Sequence, residues 1–221
     1  MTTEYSKYKI HSCLVAGEKL ELHPLKAVYW PSQDCLIISD LHLGKAKHFV
    51  KAGIALPARA LESKNIDRLQ RLTEFYRPKK IILLGDLFHS SYNTAWEQFC
   101  KYTRDYPNVE FVLVEGNHDL LDRENYEAAR LKLRLKYAVG PFIFTHEPIE
   151  GKHKLYNLSG HIHPGVRMQG AAKQTARFPC FFFGKIAGLL PAFGAFTGLM
   201  TLSPKKKDQV FIVAEEEVIA V

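Results

Sequence analysis

Residues 35–42 read Cys35-Leu36-Ile37-Ile38-Ser39-Asp40-Leu41-His42: a short apolar run that stops on a carboxylate and an imidazole. An unbroken run of this length, without alternation, is the pattern of a strand buried on both faces. The same grammar recurs along the chain. Residues 80–84 (Lys-Ile-Ile-Leu-Leu) run into Gly85-Asp86, and residues 111–114 (Phe-Val-Leu-Val) lead to Gly116-Asn117-His118-Asp119. Residues 142–145 (Phe-Ile-Phe-Thr) run into His146, and residues 155–159 into Gly160-His161-Ile162-His163. Each expected core strand thus delivers ligand-type side chains at its C-terminal end, the edge where open α/β sheets bind their ligands.

Two helices are expected between these strands. Residues 58–76 follow Pro57 and place Leu61, Ile66, Leu69, Leu72 and Tyr76 near one face. The second opens at Thr94 with Glu97 three residues later, a capping-box spacing, and continues through Phe99 and Tyr102. Alternating strands and helices indicate an α/β domain. Leu131, Leu133, Leu135 and Tyr137 alternate with Lys132, Arg134 and Lys136, which predicts one half-exposed strand with a basic outer face. From Arg177 onward the chain reads as β-rich, with Phe181, Phe182 and Phe183 in the core and solvated turns at residues 205–207 and 215–217.

The chain has 221 residues, a length that suits one domain over residues 1–221. Its composition, 47% hydrophobic and 24% charged, is that of an ordinary globular protein. No apolar run is long enough for a bilayer, since residues 181–202 are broken by Lys185, Pro191 and glycines, and residues 1–9 are polar. A cytoplasmic protein is expected. Cys13, Cys35, Cys100 and Cys180 form no zinc spacing and read as buried free thiols. The net charge of +7 favours anionic partners such as nucleic acid, nucleotides or an anionic membrane surface.

The recurrent Asp, Asn and His residues mix imidazole nitrogen with carboxylate and amide oxygen, and no thiolate. That donor set suits manganese, iron or zinc in a reactive site and not a structural zinc site. Two residues apart on extended backbone, Asp40 and His42 face one cavity, as do His161 and His163. His11, His23 and His153 stand outside the motifs and read as surface or core histidines.

Asp40-x-His42, Gly85-Asp86, Gly116-Asn117-His118-Asp119, His146 and Gly160-His161-x-His163 resemble, complete and in order, the motifs of the calcineurin-like metallophosphoesterases. The resemblance implies a four-layer α/β/β/α double sandwich and a pair of divalent metal ions, manganese first, with iron or zinc as alternatives. It implies one ion on Asp40, His42, Asp86 and His163, a second on Asp86, Asn117, His146 and His161, and Asp86 as the bridge. Such a pair activates water for in-line attack on phosphorus. His118 would protonate the leaving oxygen, and Asp119 would orient it. Many members carry an acidic residue shortly after the Gly-Asp motif; here His89 stands three positions on and is not counted as a ligand.

Residues 42–48, 53–57, 177–180 and 190–196 are further similar to one bacterial subfamily, the ligase-associated DNA damage response endonucleases. That resemblance implies a DNA substrate, a repair role, and association with a DNA ligase and a nuclease or helicase. Lys45, Lys47 and Lys51 form a possible phosphate track beside the ligands, or the wet face of a short helix. Arg167 and Arg177 are candidate phosphate clamps, or surface ion-pair partners. Two other functions compete: a phosphodiesterase or phosphatase of a small nucleotide or nucleotide-sugar, and a non-catalytic scaffold. The basic character of residues 120–140 counts against a nucleotide-sugar lipid, and the intact motif set counts against a scaffold.

Overall fold

A computed structural model describes residues 7–45, 58–88, 93–151, 153–170, 174–195 and 197–221. Lys47, Lys51, His89 and residues 53–57 lie outside the described residues, as does the side chain of Leu61.

The first sheet contains seven strands in chain order: β1 (His11–Val15), β2 (Glu18–His23), β3 (Ala27–Trp30), β4 (Cys35–Ile38), β5 (Lys80–Leu84), β6 (Glu110–Val114) and β7 (Leu131–Arg134). The first four pair antiparallel and β4 to β7 pair parallel. The second sheet is built from β8 (Tyr137–Val139), β9 (Phe142–Thr145), β10 (Tyr156–Ser159), β11 (Pro164–Gln169), β12 (Thr175–Phe183), β13 (Ala187–Leu189) and β14 (Met200–Thr201). Its order is β14-β11-β12-β13-β10-β9-β8, with β15 (Gln209–Ala214) on β12 and β16 (Glu217–Ala220) on β15.

Strand period explains how β4 serves two cores. Leu36 and Ile38 face the helices, whereas Cys35 and Ile37 face the second sheet. Among the described residues the α-helices are α1 (Ala58–Tyr76), α2 (Thr94–Asp105) and α3 (Arg123–Ala128). Ile66, Leu69, Leu72, Trp96, Phe99 and Tyr126 from these helices pack on the outer face of the first sheet. Between the sheets, Trp30, Ile82, Val112 and Val114 meet Phe142, Phe144, Phe181 and Phe211. The double sandwich with flanking helices is the expected mixed α/β fold. Among the described residues its helices cover the first sheet, while Val166, Cys180, Val210 and Ile212 form a small separate cluster on the second.

Three local expectations change. The strand predicted across Leu131 to Tyr137 is two strands in different sheets: β7 ends at Arg134 and β8 begins at Tyr137. Leu135, 78% exposed, lies in the crossing, so alternation continued through a segment that changes sheets. Helix α2 is capped by Asn93, whose side chain accepts from the Ala95 N–H at 2.8 Å; Thr94 is the first helical residue, not the cap. Phe181 and Phe183 are buried between the sheets, while Phe182 packs on the opposite cluster. All four cysteines are free thiols: Cys13, Cys35 and Cys180 are buried and Cys100 is partly so. Among the described residues, no helix is long and apolar enough to cross a membrane.

Candidate metal centre

The strand ends carry the ligand-type residues to one edge. Asp40 and His42 follow β4, Asp86 follows β5, Asn117 and His118 follow β6, His146 follows β9, and His161 and His163 follow β10. The backbone there is not extended. Asp40, His42, Asp86, His161 and His163 adopt left-handed φ values of 51°, 49°, 46°, 62° and 49°. A left-handed residue with a Cβ costs about 1 kcal/mol or more, and such residues gather at functional sites. The paired ligands therefore converge by successive kinks, not along an extended strand as the spacing suggested. Hydrogen bonds between the kinked loops offset the strain: Asp40 N–H donates to Gly85 O (3.2 Å), His42 N–H to Asp86 O (2.9 Å) and Leu43 N–H to Leu87 O (2.9 Å).

Two donor clusters result, each with its ligand atoms within 4.8 Å of one another: Asp40, His42 and His163, and Asp86, His146 and His161. In the first, His42 Nε2 lies 3.3 Å from His163 Nε2, which lies 3.3 Å from Asp40 Oδ1. In the second, His146 Nε2 lies 3.4 Å from Asp86 Oδ1, 3.0 Å from Asn117 Oδ1 and 3.1 Å from His161 Nδ1. Asp86 faces both clusters, since its Oδ2 is 3.9 Å from His42 Nδ1. Asp40, His42, Asp86 and His146 are buried, His161 and His163 half-buried and Asn117 exposed, so the clusters open at one mouth.

The arrangement fits cations. His146 Nδ1 sits 2.8 Å from Leu84 O, an oxygen that can only accept. Nδ1 therefore carries the proton and Nε2 the lone pair. That lone pair faces the carboxylate of Asp86 and the amide oxygen of Asn117, and a positive ion reconciles them. Burial alone would raise the pKa of Asp40. The neighbouring imidazoles, His163 foremost, more than offset it and hold the carboxyl below its usual range.

Motif glycines are set by close approach. A Cβ on Gly160 would collide with the Asp40 carboxylate, and one on Gly85, where φ is 74°, with the His146 ring.

His118 donates its backbone N–H to Asp86 Oδ1 (3.0 Å), and its ring lies 6.4 Å from that of His42. Asp119 binds backbone amides on two loops. Its Oδ1 accepts from Leu87 N–H (2.9 Å) and Phe88 N–H (3.2 Å), and its Oδ2 from Gly116 N–H (2.9 Å). It ties the loop after β6 to the loop after β5, and burial pushes its carboxyl up to about 6 despite those bonds. Lys45 is half-buried. Burial lowers its pKa, while the charges of Asp86 and Asp40 act in the opposite sense. Arg167 and Arg177 are exposed and directly opposite each other on β11 and β12. Like charges facing across a ladder oppose each other unless an anion lies between them.

Several supporting residues lay beyond sequence reasoning. Phe193 N–H donates to Ser39 O (2.8 Å), Gly194 N–H to Asp40 O (2.9 Å) and Leu190 N–H to Ser159 O (2.9 Å). The segment around Leu190 to Gly194 thus buttresses both Asp40 and the strand leading to His161. Arg68 on α1 holds it from behind, donating to Phe193 O (3.0 Å) and Leu25 O (2.7 Å) with its guanidinium 4.4 Å from the Phe193 ring. Beside it, burial and then the Arg68 charge push the His23 imidazole down to about 3, and neutral His23 accepts from Leu25 N–H through Nδ1. The similarity of residues 190–196 to a subfamily was the one available signal. Asn157, fully buried on β10, braces the His146 loop by donating to Thr145 Oγ1 (2.8 Å) and accepting from Ile149 N–H (2.9 Å).

Known proteins resemble this chain over different spans. Over 96% of this chain and 100% of the other, the fold superimposes with a TM-score of 0.82 on the crystal structure of a Pseudomonas putida nuclease, MPE, at 26% identity. A looser likeness, TM-score 0.44 at 15% identity over 84% of this chain and 96% of the other, is to Yfce, a phosphoesterase from E. coli. A stretch of 75 residues is 39% identical to a protein named guanylate kinase from Koribacter versatilis (strain Ellin345), and the match covers only 32% of each chain. A family model, calcineurin-like phosphoesterase, matches residues 35–179, the span that contains every ligand motif. The chain belongs to the calcineurin-like phosphoesterase family and is a metal-dependent hydrolase of phosphate esters.

Proposed function

We propose that this phosphoesterase cleaves phosphodiester bonds in DNA, with two divalent ions, manganese first, as a repair-associated nuclease. The observation that carries the metal part is the pair of donor clusters facing a shared Asp86. Asp40, His42, Asp86 and His163 would hold one ion, and Asp86, Asn117, His146 and His161 the other. When bound, such ions supply positive charge that polarises a phosphoryl oxygen and acidifies water.

The chain's own residues do the rest. Asp86 anchors the loop after β6 by accepting the His118 N–H, and the His118 ring would protonate the leaving oxygen. Asp119 positions that loop through its three backbone bonds. Lys45, Arg167 and Arg177 offer positive charge to flanking phosphates, and Lys47 belongs to the same proposal from sequence. DNA as substrate is supported by the Pseudomonas putida nuclease match, the net charge of +7 and the subfamily-like segments. The same reading gives a single domain, a cytoplasmic location and functional association with a DNA ligase and a nuclease or helicase.

The test is hydrolysis by manganese-loaded protein of bis-p-nitrophenyl phosphate and of single- and double-stranded DNA. Both substrate types are expected to be cleaved, with DNA cleavage lowered on the order of 100-fold by His118→Ala. Cleavage of the small ester with DNA left intact removes the nucleic-acid part. A hollow of about 320 Å³ beside Asn117 and His146, also lined by Lys136 and Ile149, favours a second reading in which one small nucleotide is the substrate. Turnover of a nucleotide panel unaffected by salt would support that reading over DNA.

A further inference from the structure

The lysines at 205–207 look, in sequence, like a solvated turn. The fold gives them company. Lys207 lines a hollow of about 670 Å³ together with Lys154 and Lys185. Lys185 and Lys207 also line a second hollow of about 630 Å³, with Lys205 and Lys206. Lys205 and Lys206 reappear in a third, of about 600 Å³, which reaches Arg167 on β11. Shared lining residues make the three hollows neighbours, and together they are called the trough. It starts at the ends of β10 and β12 remote from the ligands and finishes four residues after His163 on the strand that leaves the metal centre.

Its lysines differ from six others on the surface. Lys7, Lys9, Lys19, Lys79, Lys80 and Lys132 each pair with a carboxylate. Lys154, Lys185, Lys205, Lys206 and Lys207 are exposed and make no ion pair among the described residues. The only acidic residue lining the three hollows is Asp208, and its carboxylate accepts from the Lys205 backbone N–H at 2.7 Å. Six cations from four separate segments thus line these hollows against one carboxylate. A regularly spaced polyanion matches such a lining, since its phosphates take the charges and release their own counterions. Ile186, 43% exposed, lines the first two hollows and offers apolar surface to a base.

We propose that this trough is a second nucleic-acid site, which seats the backbone of a DNA strand and leads it past Arg167 to the metal centre. The occupant follows from the DNA reading above, while the trough itself does not depend on the metals.

The experiment is binding of a fluorescent 30-nucleotide single-stranded DNA to the full chain, in chelator so that nothing is cleaved, across a salt titration. Lys205→Ala/Lys206→Ala/Lys207→Ala and, separately, Lys154→Ala/Lys185→Ala are compared with Lys79→Ala/Lys132→Ala, whose lysines are already paired. The triple variant is expected to bind roughly 10-fold or more weakly at low salt, with a log–log salt slope shallower by about 2. The double variant should change in the same direction and the paired-lysine control should not change. All variants should retain wild-type hydrolysis of bis-p-nitrophenyl phosphate. Unchanged DNA affinity and slope in both trough variants overturn the proposal, as does loss of binding to phosphatidylserine vesicles with DNA binding intact. If wild type binds DNA through these lysines but cleaves none, the nuclease reading fails and the trough stands. If it cleaves DNA with the lysines removed at full affinity, the reverse holds.

Discussion

The two donor clusters use the same residue types, one carboxylate and two imidazoles, but are held in different ways. The first is buttressed over long range. Asp40 is fully buried, its carboxylate accepts the His161 N–H (3.0 Å), and its backbone is pinned by Gly85 and by Gly194, with Arg68 behind. The second is set by direct bonds to the ligand rings themselves. Leu84 O fixes the tautomer of His146, and the cluster is completed at the surface by exposed Asn117. Rigid support should make the first ion tight and slow to exchange; an exposed partner should make the second weaker and faster.

The largest expected effect comes where the clusters meet. Asp86→Ala should empty both positions and lower phosphodiesterase activity on the order of 1,000-fold. Metal analysis after gel filtration checks this, and retention of one ion would mean that Asp86 serves a single cluster. Gly160→Ala drives a Cβ into the Asp40 carboxylate and should weaken the first ion roughly 10–100-fold while sparing the second. Calorimetric manganese titration resolves the two, and equal weakening of both would erase the distinction drawn above. Asn117→Ala should weaken only the second ion, by about 10-fold, in the same titration.

The smallest effect concerns the brace. His23 is neutral in the fold with a pKa of about 3, below its unfolded value. The unfolded chain therefore binds the extra proton between those two values. Stability is fully present above the unfolded pKa of about 6.5 and is lost as pH falls toward 3. Urea midpoints at pH 7 and pH 5, in chelator, should fall less for His23→Gln than for wild type.

The strand ends were legible because buried parallel strands are written as unbroken apolar runs, and each is followed at once by its ligand. Residues 35–42 show both features side by side. What lay hidden depends on contacts distant in sequence. Nothing local to Leu190 or Phe193 announces that their amides serve Ser159 and Ser39. The bonds of Asp119 to amides some thirty positions back are likewise invisible in its own motif, which holds only Gly116 of its partners. The break between β7 and β8 was masked because leucines and lysines alternate through it. The left-handed kinks have no local signature beyond Asp and His being residue types that tolerate them.

The crossing at Leu135 has a thermodynamic corollary. Because the chain changes sheets there, Asp40, His42, Asp86 and Asn117 belong to the first sheet's edge, and His146, His161 and His163 to the second's. Each cluster therefore takes donors from both layers. An ion seated in either would act as a staple across the sandwich and would bind only while the layers are docked. Ligation and folding are then one linked equilibrium: an ion at 100 times its dissociation constant adds about 2.7 kcal/mol to stability. Metal supply would set how long the folded chain persists as well as how fast it turns over.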